Sequence, residues 1–327
     1  MLRTRFTEMF DLRHPVMSAP MALHSGSTLA AAVSNAGGLG SFGGIHPVKG
    51  PDWIAAEIAA ARKATDGPVG VGFITGFLAM FGALFDAALA ERPDVIALSF
   101  GDPRPYLERC QKAGVRGMCQ VQNYEHAALA VEGGADVLVA QGNEAGGHTG
   151  TMGLLPFLAG LVQRYPDTPV LAAGGIGDGA TLAAALTAGA DGAWLGTAFL
   201  ATPEAVEVHD LHKELIVASD GADTIWTRTY DIASGLPWPA EIGERVRANR
   251  FTAEWSEREA ELRARREEFA RPPGDNPFPP PDPDTDAVLF GQSAGGVAAI
   301  RPAAEVVRLI CDDAEGILRS RPASLLA

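Results

Sequence analysis

The chain has 327 residues, 47% hydrophobic and 20% charged, which suits one large globular α/β domain or two average ones. Its 26 basic against 40 acidic residues leave a net charge of −14, which opposes a polyanion, so nucleic acid is excluded as an expected partner. No apolar run approaches the ~20 residues that span a bilayer, no basic-then-apolar leader follows Met1, and Cys110, Cys119 and Cys311 lack metal-type spacing. A reducing cytoplasm, buried thiols and no bound metal are expected.

Short apolar strands alternate with helical patterns from residue 16 to about 219. The first strand is predicted at Val16–Ala19, with a helix near Ser27 to Asn35. Leu39 to Phe42 follows, with a helix from Pro51, a residue suited to a first helical turn. Val69–Phe73, Val95–Ser99 and Val115–Gln120 read as the next three strands. Their helices fall at Ala83 to Ala90, Pro103 to Ala113 and Tyr124 to Gly133. The sixth strand, Val137–Ala140, empties into the glycine-rich loop Gln141-Gly-Asn-Glu-Ala-Gly-Gly-His-Thr-Gly150, before a helix from Leu154 to Arg164. Val170–Ala173 and Gly192–Leu195 complete eight strands, with helices at Ala180 to Ala188 and Glu204 to Ala218. Eight β-α units with no second strand pattern predict one closed parallel (β/α)8 TIM barrel.

The last third differs. Glu241 to Arg271 reads as a solvated helix, with Glu257, Glu261 and Arg265 at helical pair spacing. Pro272 to Asp284 holds seven prolines and reads as an extended connector. Glycine returns at Gly291-Gln292-Ser293, before an apolar helix from Ala303 to Leu318. Gln292 and Ser293 either cap that helix or belong to a segment closing the barrel mouth. The expected organisation is a barrel of residues 1–220 plus 287–327, with 221–286 as a helical and Pro-rich insertion, lid-like.

The chemistry concentrates at strand ends. After the seventh strand, Gly174-Gly175-Ile176-Gly177-Asp178-Gly179 opens a helix; after the eighth comes Gly196-Thr197. In barrels this pair of loops forms a cup of backbone N–H groups that takes a phosphate. Asp178, at a helix start, reads as a cap. Ala19-Pro20-Met21 ends the first strand and offers a platform for a planar ring, and Gly147 lets backbone approach it. Together these describe a flat phosphorylated cofactor lying across the mouth. No lysine stands at a strand end, which disfavours pyridoxal phosphate and favours FMN. On its own, His148 is more often a solvated loop residue; beside that frame it becomes a candidate reacting group.

Val16-Met-Ser-Ala-Pro-Met21, Gly142-x-Glu-Ala-Gly-Gly-His148, Ala172-Ala-Gly-Gly-Ile176 and Leu195-Gly-Thr197 together resemble the nitronate monooxygenase family, formerly the 2-nitropropane dioxygenases. The resemblance covers roughly residues 12 to 205 and the return at Gly291-Gln292-Ser293. It implies FMN on a TIM barrel, held by backbone at Ala19 and Met21, by Gln122, and by Gly175, Gly196 and Thr197 around the phosphate. It implies a small-molecule nitronate or nitroalkane and O2 as substrates, giving a carbonyl compound and nitrite, with His148 as the base. Such a base suits the chemistry, since a nitroalkane has an acidic carbon proton that a neutral imidazole accepts near pH 7. Gly72 stands where family members often carry Asn, Thr149 where arginine is common, and the Pro-rich connector is longer than in compact members.

The nearest rival is an FMN-dependent enoyl-acyl-carrier-protein reductase using NAD(P)H on a similar barrel. It would want a basic patch near the mouth, for which Arg245, Arg247 and Arg250 are the candidates. A flavin-binding protein without turnover is a third reading. A homodimer is left open.

Overall fold

Short, largely apolar runs build the centre of the molecule, which a computed structural model describes for residues 2–269 and 280–326. The strands are β1 (Val16–Ser18), β2 (Gly40–Gly43), β3 (Val69–Ile74), β4 (Val95–Ser99), β5 (Arg116–Val121), β6 (Val137–Gln141), β7 (Gly147–Thr149), β8 (Val170–Ala173), β9 (Gly192–Leu195), β10 (Thr224–Thr227) and β11 (Gly243–Arg247). Eight of them form one parallel sheet in the order β1-β9-β8-β6-β5-β4-β3-β2. The Met17–Leu39 bridge, with Ser18 N–H donating to the Leu39 carbonyl at 3.0 Å, closes β1 onto β2. The barrel and its eight strands are where the sequence predicts them.

Alternation along each strand divides two cores. On β6, Val137 and Val139 point into the barrel with Met17, Val95, Met118, Leu171 and Trp194. Leu138 and Ala140 point outward to the helices, beside Phe157 and Leu161. A short helix, Arg5–Phe10, plugs the barrel's lower end through Phe6, which is fully buried. Arg5 holds it there by an ion pair with Asp191 at 2.6 Å. The sequence reading missed this helix.

Three further expectations are corrected. Only Asp210–Ala218 of the predicted Glu204–Ala218 helix is long and regular. Instead, the C-terminal helix Ala303–Leu325 packs against the helices Gly179–Thr187 and Ser27–Asn35 and takes the eighth helix position of the barrel. The predicted helix from Glu241 contains β11, followed by the short helices Arg250–Trp255 and Glu259–Ala264. Charge spacing suggested one long helix, but pairing decided otherwise, because β11 sits between β10 and β7 in an antiparallel three-stranded sheet. That sheet is a second strand system the sequence reading did not foresee. The expected Glu261–Arg265 pair does form, at 3.2 Å. Residues 272–279 of the Pro-rich connector lie outside the described residues.

Candidate active site

At the carboxyl ends of the barrel strands lies a cleft. Part of its floor carries side chains no larger than methyl: Ala19 after β1, Gly72 on β3, Ala173 at the end of β8 with Gly174 after it, and Gly196 after β9, with the Pro20 ring beside them. Positive φ at Gly174 (101°) and Gly175 (68°) turns the chain after β8 into a loop that an L side chain would strain. A Cβ at Gly72 would stand 2.2 Å from Pro20 Cγ. Glycine there is therefore what lets the Pro20 ring lie against β3, which accounts for the absence of asparagine.

Ten of the thirteen residues singled out from the sequence line this cleft: Ala19, Pro20, Met21, Gly147, His148, Gly174, Gly175, Gly196, Thr197 and Ser293. Three do not. Gln122 is buried behind it, donating to Gln141 Oε1 at 3.0 Å and accepting from His126 Nδ1 at 3.1 Å. Gly177 donates its N–H to Thr181 Oγ1 and abuts the Ser293 backbone. The Gln292 side chain faces solvent. Asp178 caps its helix, accepting from Thr181 N–H at 2.8 Å.

The returning segment crosses the cleft. Gly291 N–H donates to Thr197 Oγ1 at 2.9 Å and Gln292 N–H to the Glu144 carbonyl at 3.0 Å. This backbone seam, not a side-chain cap, brings Leu289, Phe290 and Ser293 to the wall. Beneath it, His212 Nε2 donates to the Leu289 carbonyl at 2.9 Å, and its ring meets His24 edge-on at 5.6 Å. Burial, then the neighbouring His24, pushes the His212 pKa down to about 4. Burial also lowers that of His24, so both rings are neutral near pH 7.

His148 is not on a loop. It sits on β7 directly across from Glu244 of β11. Gln141 Nε2 donates to its carbonyl at 2.9 Å, and Thr149 Oγ1 to the Gly142 carbonyl at 3.0 Å, so the glycine-rich turn is tied at both sides. Trp238, from the insertion, stacks on the imidazole with centroids 3.7 Å apart and 14° between planes. Phe100 packs edge-on against Trp238 at 5.2 Å. Its φ of 61° is unusual for a bulky residue and aims the ring over the cleft. His148 Nε2 lies 3.0 and 3.1 Å from the two carboxylate oxygens of Asp231. Glu244 is buried, and desolvation followed by the Asp231 charge raises its pKa well above the usual carboxyl range.

Sequence reasoning missed Asp231, Trp238, Phe100 and Glu244. Only Trp238 left a signal, an aromatic ring between two prolines in an otherwise polar insertion. Of the candidate basic patch, only Arg250 is exposed, and it does not line the cleft. Arg245 is buried, donating to the Asn143 carbonyl at 2.7 Å, and Arg247 pairs with Asp223 at 3.5 Å. Among the described residues, neither lysine nor arginine lines the cleft. The site therefore offers a flat, small-residue floor, backbone polar groups at the β8 and β9 ends, and an imidazole under an aromatic cover. A planar ring carrying an anion held by backbone N–H groups fits that cradle. No described helix is long and apolar enough to cross a membrane, and no group of three or more metal-type side chains occurs among the described residues.

Comparison with known proteins identifies the family. A Mycobacterium tuberculosis octahydroindene-carboxyl-CoA dehydrogenase is 32% identical over 72% of this chain, which spans 65% of that relative's length, under two thirds. The nitronate monooxygenase of Pseudomonas aeruginosa is 34% identical over 71% of this chain and 79% of its own. A solved nitroalkane oxidase from Streptomyces ansochromogenes superposes with a TM-score of 0.76 at 30% identity, covering 97% of this chain and 99% of its own. The family model for nitronate monooxygenase matches residues 3–76 and 81–313, both halves of the barrel and the returning segment. The chain belongs to the nitronate monooxygenase family of oxidoreductases.

Proposed function

We propose that this protein binds FMN across the barrel mouth and oxidises alkyl nitronates with O2 to a carbonyl compound and nitrite. The observation that carries the reading is the meeting of His148, under its aromatic cover, with the small-residue floor and the glycine ends of β8 and β9 in one cleft. Ala19, Pro20 and Met21 would lie against the isoalloxazine, and backbone at Gly174, Gly175, Gly196 and Thr197 would hold the phosphate. Bound flavin supplies the electron acceptor for the nitronate and the donor for O2. The protein's own part is to orient and shield. Trp238, Phe100 and Phe73 exclude water from the reacting carbon, Gln141 anchors the His148 backbone, and His148 takes a carbon proton when the substrate arrives as the neutral nitroalkane. The Pseudomonas nitronate monooxygenase and the Streptomyces nitroalkane oxidase support this chemistry by their names and their identity to the chain.

The mycobacterial relative, named as a carboxyl-CoA dehydrogenase, favours a second reading, oxidoreduction of an acyl thioester, for which NADPH is the reductant to try. Burial of Arg245 removes a candidate cation for an acidic carrier protein at the mouth. Anaerobic mixing of the purified, FMN-loaded protein with propionate 3-nitronate, and separately with NADPH, separates the two. The expected result is flavin bleaching by the nitronate and nitrite once air is admitted. Bleaching by NADPH alone would overturn the nitronate reading.

A further inference from the structure

A histidine that removes a carbon proton needs one ring nitrogen bare and the other committed. The His148 ring edge at Nε2 faces Asp231, whose side chain is only 6% exposed, with both carboxylate oxygens within 3.1 Å. A carboxylate accepts only, so Nε2 must carry the proton. Nδ1 has no hydrogen-bond partner among the described residues, and the ring lines the cleft. Trp238 covers one face of the ring at 3.7 Å.

Asp231 has no place in the loop that carries His148. It lies on the short helix Thr229–Ser234 of the insertion, 83 residues further on. The same small sheet delivers both groups. β7 holds His148 and β10 leads into the Asp231 helix, with β11 between them. Glu244, the ladder partner of His148, is the other acidic group at this point. Burial and the Asp231 charge push its pKa up, and Asp231, not Glu244, is the carboxyl group within hydrogen-bond distance of the imidazole.

We propose that Asp231 is the positioning residue of this site, holding His148 as its Nε2–H tautomer with Nδ1 free to take a proton from a carbon acid. The inference rests on the nitronate reading and deepens it. In the step it serves, the C–H bond next to the nitro group breaks. Its electron pair moves into the nitro group to give the nitronate, and the proton goes to Nδ1. The imidazolium so formed is neutralised by the Asp231 carboxylate and later releases its proton to solvent. A substrate supplied as a nitronate has already lost that proton and needs neither group for this purpose.

That difference supplies an internal control. In the FMN-loaded protein, Asp231→Asn puts an amide opposite Nε2; its N–H favours the Nδ1–H tautomer, which has no free lone pair toward the substrate. Loss of a general base costs about 10²- to 10⁴-fold. We expect kcat/KM for neutral nitroethane to fall at least about 100-fold while that for ethyl nitronate stays within about threefold, with Asp231→Glu recovering part of the loss. ¹⁵N NMR of histidine-labelled protein gives a readout apart from turnover: an Nε2–H ring for His148 in the wild type and Nδ1–H in Asp231→Asn. Equal losses on both substrates would mark Asp231 as merely structural and overturn the inference. So would an unchanged nitroethane rate, an Nδ1–H wild-type ring, or a wild type that oxidises the nitronate but not nitroethane. A wild type that oxidises neither would sink the nitronate reading itself, a separate result.

Discussion

Single residues in the cleft owe their identity to close approach. Gly72 is the clearest. Its missing Cβ leaves room for Pro20, and a Cβ there would come within 2.2 Å of the proline ring. Gly72→Asn, which restores the residue common in the family, is therefore expected to push Pro20 out of the floor and weaken FMN binding by about tenfold or more, equivalent to ~1.4 kcal/mol. Fluorescence titration of the apoprotein with FMN measures it; tighter binding would mean the floor has slack that the structure does not show. Gly175 makes a similar case through its backbone. At φ 68° an alanine is strained, and its Cβ would press on Glu144 Cβ at 3.3 Å. Gly175→Ala is expected to lower FMN occupancy of the purified protein, read from the ratio of flavin to protein absorbance. Both glycines could be picked out in the sequence as members of motifs, but the atoms that crowd a side chain there belong to Pro20 and Glu144, in other segments of the chain.

Elements bring the site together by crossing from one part of the chain to another. The returning segment is pinned by Gly291 to Thr197 and by the bond from His212 to the Leu289 carbonyl. His212 has a folded pKa of about 4, depressed from the ~6.5 of an unfolded histidine. Protonation therefore favours the unfolded chain. The contribution is fully present above pH ~6.5 and is lost as pH falls through 4, up to about 3 kcal/mol from a shift of this size. His212→Gln keeps a donor for Leu289 but cannot titrate in this range. Urea unfolding of the variant is expected to show a shallower loss of stability between pH 6.5 and 4 than the wild type. Parallel slopes would place the acid sensitivity elsewhere. The insertion works in the same way: β11 pairs with β7 and brings Trp238 and Asp231 to His148. Charge spacing in Glu241 to Arg271 could not reveal this, because a strand flanked by both of its partners buries even Glu244 and Arg245 and needs no apolar alternation.

For the molecule as a whole, closure of the barrel is what holds the cleft open at one end and sealed at the other. The lower end depends on Phe6, fully buried among Leu12, Met17 and Leu171, with Arg5 and Asp191 fastening its helix. Phe6→Ala is expected to cost about 3–5 kcal/mol, the usual range for a large buried ring replaced by alanine. The urea midpoint reports it, and FMN binding at the far end should survive wherever the protein remains folded. A cost below about 1 kcal/mol would mean the plug is not part of the cooperative unit. The C-terminal helix contributes Val307, Ile310 and Ala314 to the same outer core as Leu182.

What the sequence determined by itself was local and periodic. Eight apolar runs, each followed by a helical pattern, specify a parallel barrel, because burying both faces of every strand leaves few other arrangements. The glycine motifs after β6, β8 and β9, with Ala19-Pro20-Met21, marked the mouth for the same reason: backbone that must approach a ligand has to be bare. Only the tertiary structure decided which helix closes the barrel, that Glu241 to Arg271 begins as a strand, and that Asp231 and Trp238 meet His148. Apart from the local β10–β11 pairing, those outcomes rest on contacts between segments 80 or more residues apart, such as His148 with Asp231 at a separation of 83. No window of sequence contains both partners, so neither periodicity nor motif spacing could register them.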